Sequence, residues 1–329
     1  MIAVVNTAFA QKFGSKKRYW SIGGSLNTMN YVGDMDPGQS FLSPNLATTR
    51  YNFGLCVLYR YSSRVSFRGA LSFGRIEGDD KWSRDASADS YRKTRNSNFA
   101  NNIGELKLDV VVDLFENRGK LEKRPLFNPY LFGGVAGFYT NPIQRLANGS
   151  YASILDNNVE TGPSSGERSK VQIAIPFGIG FRYKLSRLWD LSFEIGWRKT
   201  FTGLLDGMNG KYIDNYTRSD VGSTSYYMQE TANYAWIEYN DDGVTGKVKD
   251  DAPTTAKNAF VQGEFVSNPD GTVTVLHPAY LNGFSGWSKD EKGEIYGRNG
   301  GKPSADWYIV TGFHLTYIIQ TGIRCPKFR

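Results

Sequence analysis

The chain has 329 residues, of which 14% are aromatic and 36 are glycine, and it carries a formal net charge of +7. Its mean hydropathy is −0.44, and no apolar run in it approaches the roughly 18 residues that a membrane helix requires. A membrane β-barrel is not excluded, because its strands alternate lipid-facing and lumen-facing side chains and so hide from average hydropathy.

Taken in chain order, the first segment is Met1 to Ala10, MIAVVNTAFA, a short apolar stretch ending in Ala8-Phe9-Ala10 before Gln11. Small residues at Ala8 and Ala10 fit a signal-peptidase site, with the mature chain starting at Gln11. A basic leader region is missing, so residues 1–10 read as the remnant of a signal peptide; the alternative is a first strand or a disordered end. Alternating segments follow. Trp20, Ile22, Gly24 and Leu26 oppose Ser21, Gly23, Ser25 and Asn27, and Phe53 to Tyr61 opposes Gly54 to Arg60. Val65 to Phe73 is set against Ser66 to Gly74, and Leu106 to Leu114 against Glu105 to Asp113. Tyr130 to Tyr139 is apolar throughout and ambiguous in phase. Ile173 to Tyr183, Trp189 to Trp197 and Trp307 to Ile319 complete the set.

Each stripe is about the 9–11 residues of a tilted membrane-crossing strand, whereas a soluble sandwich uses strands of about 5–6. Trp20, Tyr59, Tyr61, Tyr183, Trp189, Trp197, Trp307 and Tyr317 stand at stripe ends, as interface girdles do. The pattern predicts an all-β fold: a transmembrane antiparallel outer-membrane β-barrel of about eight strands. Ser62-Ser63-Arg64 and Ser186-Arg187-Leu188 read as tight turns and Glu116 to Asn128 as a moderate one. Long polar segments fall near 34–50, 78–102, 140–170 and 200–305. Short turns on one side and long loops on the other place the loops outside the cell and both termini in the periplasm. Residues 11–329 then form a single barrel domain, with 200–305 a long extracellular loop inserted before the last strand.

The inward positions collect charge. Arg60, Arg68, Lys107 and Arg182 face Glu105, Asp109, Asp113 and Glu194, four of each sign. That balance points to an internal salt-bridge network, because buried charges persist when paired, and an eight-stranded barrel is filled by its own side chains. A selective channel would favour one sign.

Catalytic chemistry is hard to find. His314 lies inward on the last strand beside Thr316, which suits a satisfied interior histidine; His277 precedes Pro278 in the long loop with no partner by spacing. Neither a Gly-x-Ser-x-Gly nor an HExxH sequence occurs. Asp206, Asn209 and Asp214 offer oxygens without the spacing of a calcium loop. The expectation is a chain that is not an enzyme and binds no metal, other cofactor or nucleic acid.

The short-turn rim is basic. Lys12, Lys16, Lys17, Arg18, Arg64, Arg118, Lys120, Lys123, Arg124, Arg187, Arg324, Lys327 and Arg329 stand there against Glu116 and Glu122 alone. Such a rim suits either the anionic phospholipid head groups of the inner leaflet or an acidic periplasmic partner, and Lys120, Lys123, Arg124, Arg324 and Lys327 are the candidate partner-binding cations; outer-membrane lipids and lipopolysaccharide are the expected surroundings of the barrel as a whole. Cys325 follows the last strand, so the topology puts it in the oxidising periplasm. Cys56 points inward about five residues above the Ser62 turn, roughly 15 Å up the barrel at about 3.3 Å per residue. A bridge needs Cα atoms within about 7 Å. Cys325 is therefore a candidate for an intermolecular disulfide, the alternative being a free or capped thiol.

A further set of residues carries a family resemblance. Ser25-Leu26-Asn27-Thr28-Met29-Asn30-Tyr31-Val32-Gly33-Asp34, Leu58-Tyr59-Arg60-Tyr61 and Arg68-Gly69-Ala70-Leu71-Ser72-Phe73-Gly74-Arg75-Ile76 belong to it. So do Pro129 to Val135, Ile175 to Gly180, Arg198 to Thr202 and Asp306-Trp307-Tyr308. In these stretches, which follow most of the strands in order, the chain resembles the PorG family, a barrel component of the Bacteroidetes type IX secretion system that serves protein secretion and gliding. The stretch 215–300 exceeds the family's expected length. The resemblance implies a structural anchor in the outer membrane for a periplasmic ring of PorK and PorN proteins (GldK and GldN in gliding species). It also makes a PorK-type ring lipoprotein the expected partner of Cys325. Two alternatives remain: a surface adhesin or receptor working through loop 200–305, and a lipid-modifying barrel enzyme.

Overall fold

The structure, a computed structural model, describes residues 18–33, 35, 46–80, 97–117, 123–145, 150–157, 166–209, 237–239, 245–248, 265–267, 273–275 and 305–319. The strands in chain order are β1 (Tyr19–Val32), β2 (Arg50–Arg60), β3 (Val65–Asp79), β4 (Asn98–Asp113), β5 (Phe127–Tyr139), β6 (Pro142–Arg145) and β7 (Tyr151–Ser153). They continue with β8 (Val171–Lys184), β9 (Trp189–Thr200), β10 (Ile237–Tyr239), β11 (Thr245–Val248), β12 (Phe265–Ser267), β13 (Val273–Val275) and β14 (Trp307–Ile319).

Eight of these close a barrel. The order runs β1-β2-β3-β4-β5-β8-β9-β14, every neighbour antiparallel, and β14 returns to β1 from Trp20↔Ile319 to Val32↔Trp307. Closure leaves the barrel wall no free edge. The β2–β3, β4–β5 and β8–β9 connections leave from one end of the barrel, and the connections from β1, β3, β5 and β9 leave from the other.

The side-chain pattern is that of a body solvated by lipid. Outward positions are apolar and open: Leu26 is 63% exposed, Leu55 70% and Leu106 61%, while inward Arg68, Glu105 and Asp109 are buried. This inverts a soluble barrel, whose apolar face points in. Aromatic pairs ring the short-turn end: Trp20 with Tyr59 at 4.7 Å between centroids, Tyr61 with Phe67 at 5.8 Å, Phe127 with Phe181 at 5.9 Å and Trp189 with Tyr317 at 5.0 Å. Towards the loops, Phe177 meets Trp197 at 6.0 Å and Trp307 at 6.1 Å. Two aromatic girdles around an apolar band are the signature of a membrane barrel.

The strands run longer than the alternation suggested. β4 has 16 residues and already begins at Asn98, inside the segment 78–102 expected as loop. Its first residues, Asn-Phe-Ala-Asn-Asn, lie beyond the apolar band, where no lipid enforces alternation, but they pair with β3 from Asp79↔Asn98 onward. The segment 140–170 also holds structure, because β6 continues along β4 beyond β5 and pairs with β7. Within 200–305, β10 to β13 form a separate four-stranded sheet in the order β10-β11-β13-β12.

Candidate functional site

The lumen is the first place to look for function, and it is filled in tiers. Nearest the short turns, Asp113 pairs with two guanidiniums: it accepts a hydrogen bond from Arg182 Nη1 at 3.0 Å and lies 2.5 Å from Arg60 Nη1 in an ion pair. In the middle, Asp109 accepts Arg68 Nη2 at 2.8 Å and Lys107 Nζ at 3.1 Å, and Arg68 also pairs with Glu194. The Tyr130 hydroxyl donates to Glu194 at 2.6 Å. Higher, Glu105 receives the Tyr308 hydroxyl at 2.6 Å and lies 3.5 Å from Arg198 Nε. All eight interior charges named from the sequence are thus brought together. Strand pairing does much of this: Arg68 stands directly opposite Asp109, and Glu194 opposite Gly180.

Rings fill the gaps between tiers. Phe132 lies beneath Arg68 and Lys107, at 4.9 and 5.3 Å from ring centroid to cation, and Tyr130 lies beneath Arg182 at 4.8 Å. Small inward residues on the facing strands make room for them. A Cβ at Gly178 would come within 2.7 Å of the Phe132 ring, and one at Gly180 would overlap Tyr130. This settles the ambiguous phase of β5: Tyr130, Phe132 and Phe138 face in, while Leu131, Val135 and Tyr139 face out.

At the long-loop end the chain plugs its own barrel. After β9, residues 202–208 are all buried in the mouth, with Leu205 and Met208 packed on Met29, Tyr31, Ile76, Phe99, Ile103 and Phe138. Polar bonds fix the plug in place. The Leu205 N–H donates to Asp306 at 3.0 Å, Asn101 donates to the Leu205 carbonyl at 2.9 Å, and the Tyr31 hydroxyl lies 2.7 Å from Asp206 and 2.8 Å from Asp306. Gly207 makes the turn possible with φ of +80°, and a Cβ there would also lie 2.6 Å from Ile154. No continuous water path through the described barrel is consistent with these tiers and this plug.

The other candidates distribute as follows. His314 is 9% exposed with Nε2 3.6 Å from Glu194, placed inside the network. Asp206 belongs to the plug; Asp214 and His277 lie outside the described residues. Among the described residues, no group of three or more His, Cys, Asp or Glu is placed to hold a metal ion. On the rim, Lys123 is exposed, whereas Arg124 needs correcting as a free rim cation. It is 8% exposed, and its Nη1 lies 2.7 and 2.5 Å from the two Asp190 oxygens. Its Nη2 donates to the Arg187 carbonyl at 3.0 Å. Turn sequences have no period, so nothing in the sequence marked Arg124 as inward-turned. Arg64, also counted on the rim, meets Glu116 at 3.1 Å. Lys120, Arg324, Cys325 and Lys327, like residues 1–10, lie outside the described residues. Cys56 is buried and unbonded in the lumen. Arg198 and Asp190 are lumenal charges that the eight-residue set left out.

A closed eight-stranded antiparallel barrel with an outward apolar band and a packed polar lumen is an outer-membrane-type β-barrel. The chain belongs to the family described as a domain of unknown function, DUF6089, whose model matches residues 8–234. A search of curated proteins finds no match. Among solved structures, the chain is similar to OprG of Pseudomonas aeruginosa, at 9% identity over 92% of this chain and 98% of that one, with a TM-score of 0.34. It is similar also to Ail, the attachment invasion locus protein of Yersinia pestis, at 10% identity over 55% of this chain and 85% of that one, with a TM-score of 0.29. Neisserial surface protein A is matched at 13% identity over 55% of this chain and 81% of that one, with a TM-score of 0.27.

Proposed function

We propose that the chain is a non-enzymatic outer-membrane barrel that fastens a periplasmic assembly to the membrane, with the short-turn end facing the periplasm. The observation that carries this reading is the lumen: it is packed with paired charges and plugged by residues 202–208, which suits a rigid membrane-held body better than a conduit. The particular assembly, a ring of PorK and PorN type serving type IX secretion, rests on the resemblance in the strand sequences. The exposed Arg18, Arg64 and Lys123 at the short-turn end fit an acidic partner there, in competition with phospholipid head groups. Cys325, six residues past the end of β14, is the proposed site of a disulfide to a ring lipoprotein. Co-purification from detergent-solubilised envelopes tests the reading, which requires a periplasmic lipoprotein among the captured proteins.

A second reading has one observation in its favour. The segment 200–305 contains a sheet of its own, β10 to β13, which suits a surface adhesin or receptor. Deleting 210–304 separates the two: an anchor keeps its periplasmic partner, whereas an adhesin loses its activity.

A further inference from the structure

Past the aromatic girdle at the short-turn end, the rim of the barrel is not uniform. On the side of β1 to β3 it is polar: Arg18 lies over the Tyr61 ring at 5.0 Å, and the β2–β3 turn presents Ser62, Ser63 and Arg64. On β4, β5 and β8, consecutive in the barrel order, it stays apolar. Phe115 is 53% exposed, Leu126 60% and Leu185 51%. Leu185 continues the outward stripe of Phe181 and Tyr183. Phe115 and Leu126 break theirs. Alternation from the buried Asp113 and Asn128 would turn both inward, yet they lie open beside the lipid-facing Leu114 and Phe127.

The backbone of this ledge has its polar groups paired. Asn128 serves both backbone groups of Phe115, accepting from its N–H at 3.0 Å and donating to its carbonyl at 3.1 Å. The Leu126 carbonyl accepts from the Lys184 N–H at 2.8 Å, and the Leu185 N–H donates to the Trp189 carbonyl at 3.0 Å. Lipid requires backbone groups to be satisfied within the protein, whereas a turn standing in water can leave them to solvent. Lys123 is exposed three residues before Leu126, and a long cationic side chain keeps its charge among head groups while its neighbours sit deeper. An apolar partner protein is the other candidate to cover such a ledge. Continuity with the lipid-facing band, through Leu114, Phe127 and Tyr183, favours lipid.

We propose that the bilayer itself covers this ledge. The head-group layer at the short-turn end reaches past the girdle on β4, β5 and β8 but stops at it on β1 to β3, so the water boundary crosses the rim obliquely. This boundary follows from the membrane-barrel fold alone and holds whether or not a periplasmic protein is anchored there.

The test places single spin labels on the full chain, with Cys56→Ser and Cys325→Ser as background, in phosphatidylcholine vesicles. The labels go on Phe115→Cys, Leu126→Cys, Leu185→Cys and, for comparison, Ser63→Cys. Collisions with oxygen, which concentrates in lipid, are measured against collisions with a water-soluble nickel chelate. The oxygen-to-nickel ratio should be roughly fivefold higher at the three ledge positions than at Ser63, as expected for side chains sunk into the head-group boundary. Circular dichroism verifies the folding of each labelled chain, and Leu185→Cys decides alone should the Phe115 and Leu126 variants fail to fold. Ratios at the ledge as low as at Ser63 overturn the proposal, leaving the ledge in water and open to a protein. Ratios equally high at all four positions overturn the oblique boundary.

Discussion

Arg68 donates from both Nε and Nη2 to one carboxylate oxygen of Asp109, at 3.0 and 2.8 Å, across directly paired positions of β3 and β4. The pair sits among Lys107, Glu194 and Tyr130, with water largely excluded. Removing one partner of such a buried set leaves uncompensated charge, which costs about 3–5 kcal/mol. Asp109→Asn should destabilise the barrel by that amount in urea unfolding from lipid vesicles. Adding Lys107→Met should recover part of the loss, because it removes one of the two stranded cations. A single variant within about 0.5 kcal/mol of wild type would show that the network does not hold the lumen.

The outward band makes a separate prediction. Leu55 sits in the middle of the apolar face at 70% exposure, between Gly24 and Leu71 on the neighbouring strands. Lipid cannot solvate a charge there, so Leu55→Arg should cost about 2–4 kcal/mol when folding is measured in vesicles. The same change at Ser63, in a short turn, should be close to neutral. Equal tolerance of the two would mean that Leu55 does not face lipid.

The plug can be loosened from within. Gly207→Ala places a Cβ at positive φ and against Ile154, and backbone strain of this kind costs about 1–3 kcal/mol. Limited proteolysis should then cut after β9 sooner than in the wild type, while the barrel core stays resistant. Unchanged cleavage would argue that 202–208 do not depend on this turn.

Reversal of rim charge must respect Arg124. Lys120→Glu with Lys123→Glu should leave barrel assembly intact and weaken capture of a periplasmic partner, because exposed pairs are individually small and two are needed to register. Arg124→Glu should instead damage folding, since it sets two carboxylates against each other at Asp190. If the Lys120 and Lys123 double variant captures the partner normally at physiological salt, the phospholipid account of the basic rim gains.

The sequence carried the barrel unevenly. Strands β2, β4 and β8 alternate so regularly that the facing of Arg60, Asp109 and Phe177 could be read directly, because lipid on one side and a polar lumen on the other enforce period two. Strand β5 hid its phase, since Tyr130 and Phe132 are aromatic yet inward, where a Cβ at Gly178, Gly180 or Gly196 on other strands would collide with them. Arg198 shares its parity with Glu194 and was legible in principle, one residue past the Trp197 stripe. The plug was not: Leu205 and Met208 lie in a Gly-rich stretch without period, and only tertiary packing makes them core.

Cys325 offers a covalent version of the anchoring claim. Non-reducing gels of envelopes should show a heavier species that vanishes with reductant and in Cys325→Ser but persists in Cys56→Ser, whose thiol is buried in the lumen. Wild type running at monomer mass, with a thiol open to alkylation, would remove the disulfide from the account.

The most direct measurement is the identity of what the barrel holds. The tagged full chain and a variant lacking 210–304 are solubilised from envelopes in detergent, and their captured proteins are identified by mass spectrometry. Anchoring predicts the same periplasmic lipoprotein on both. Capture of no periplasmic protein by either, with any partner tied instead to 210–304, would contradict it.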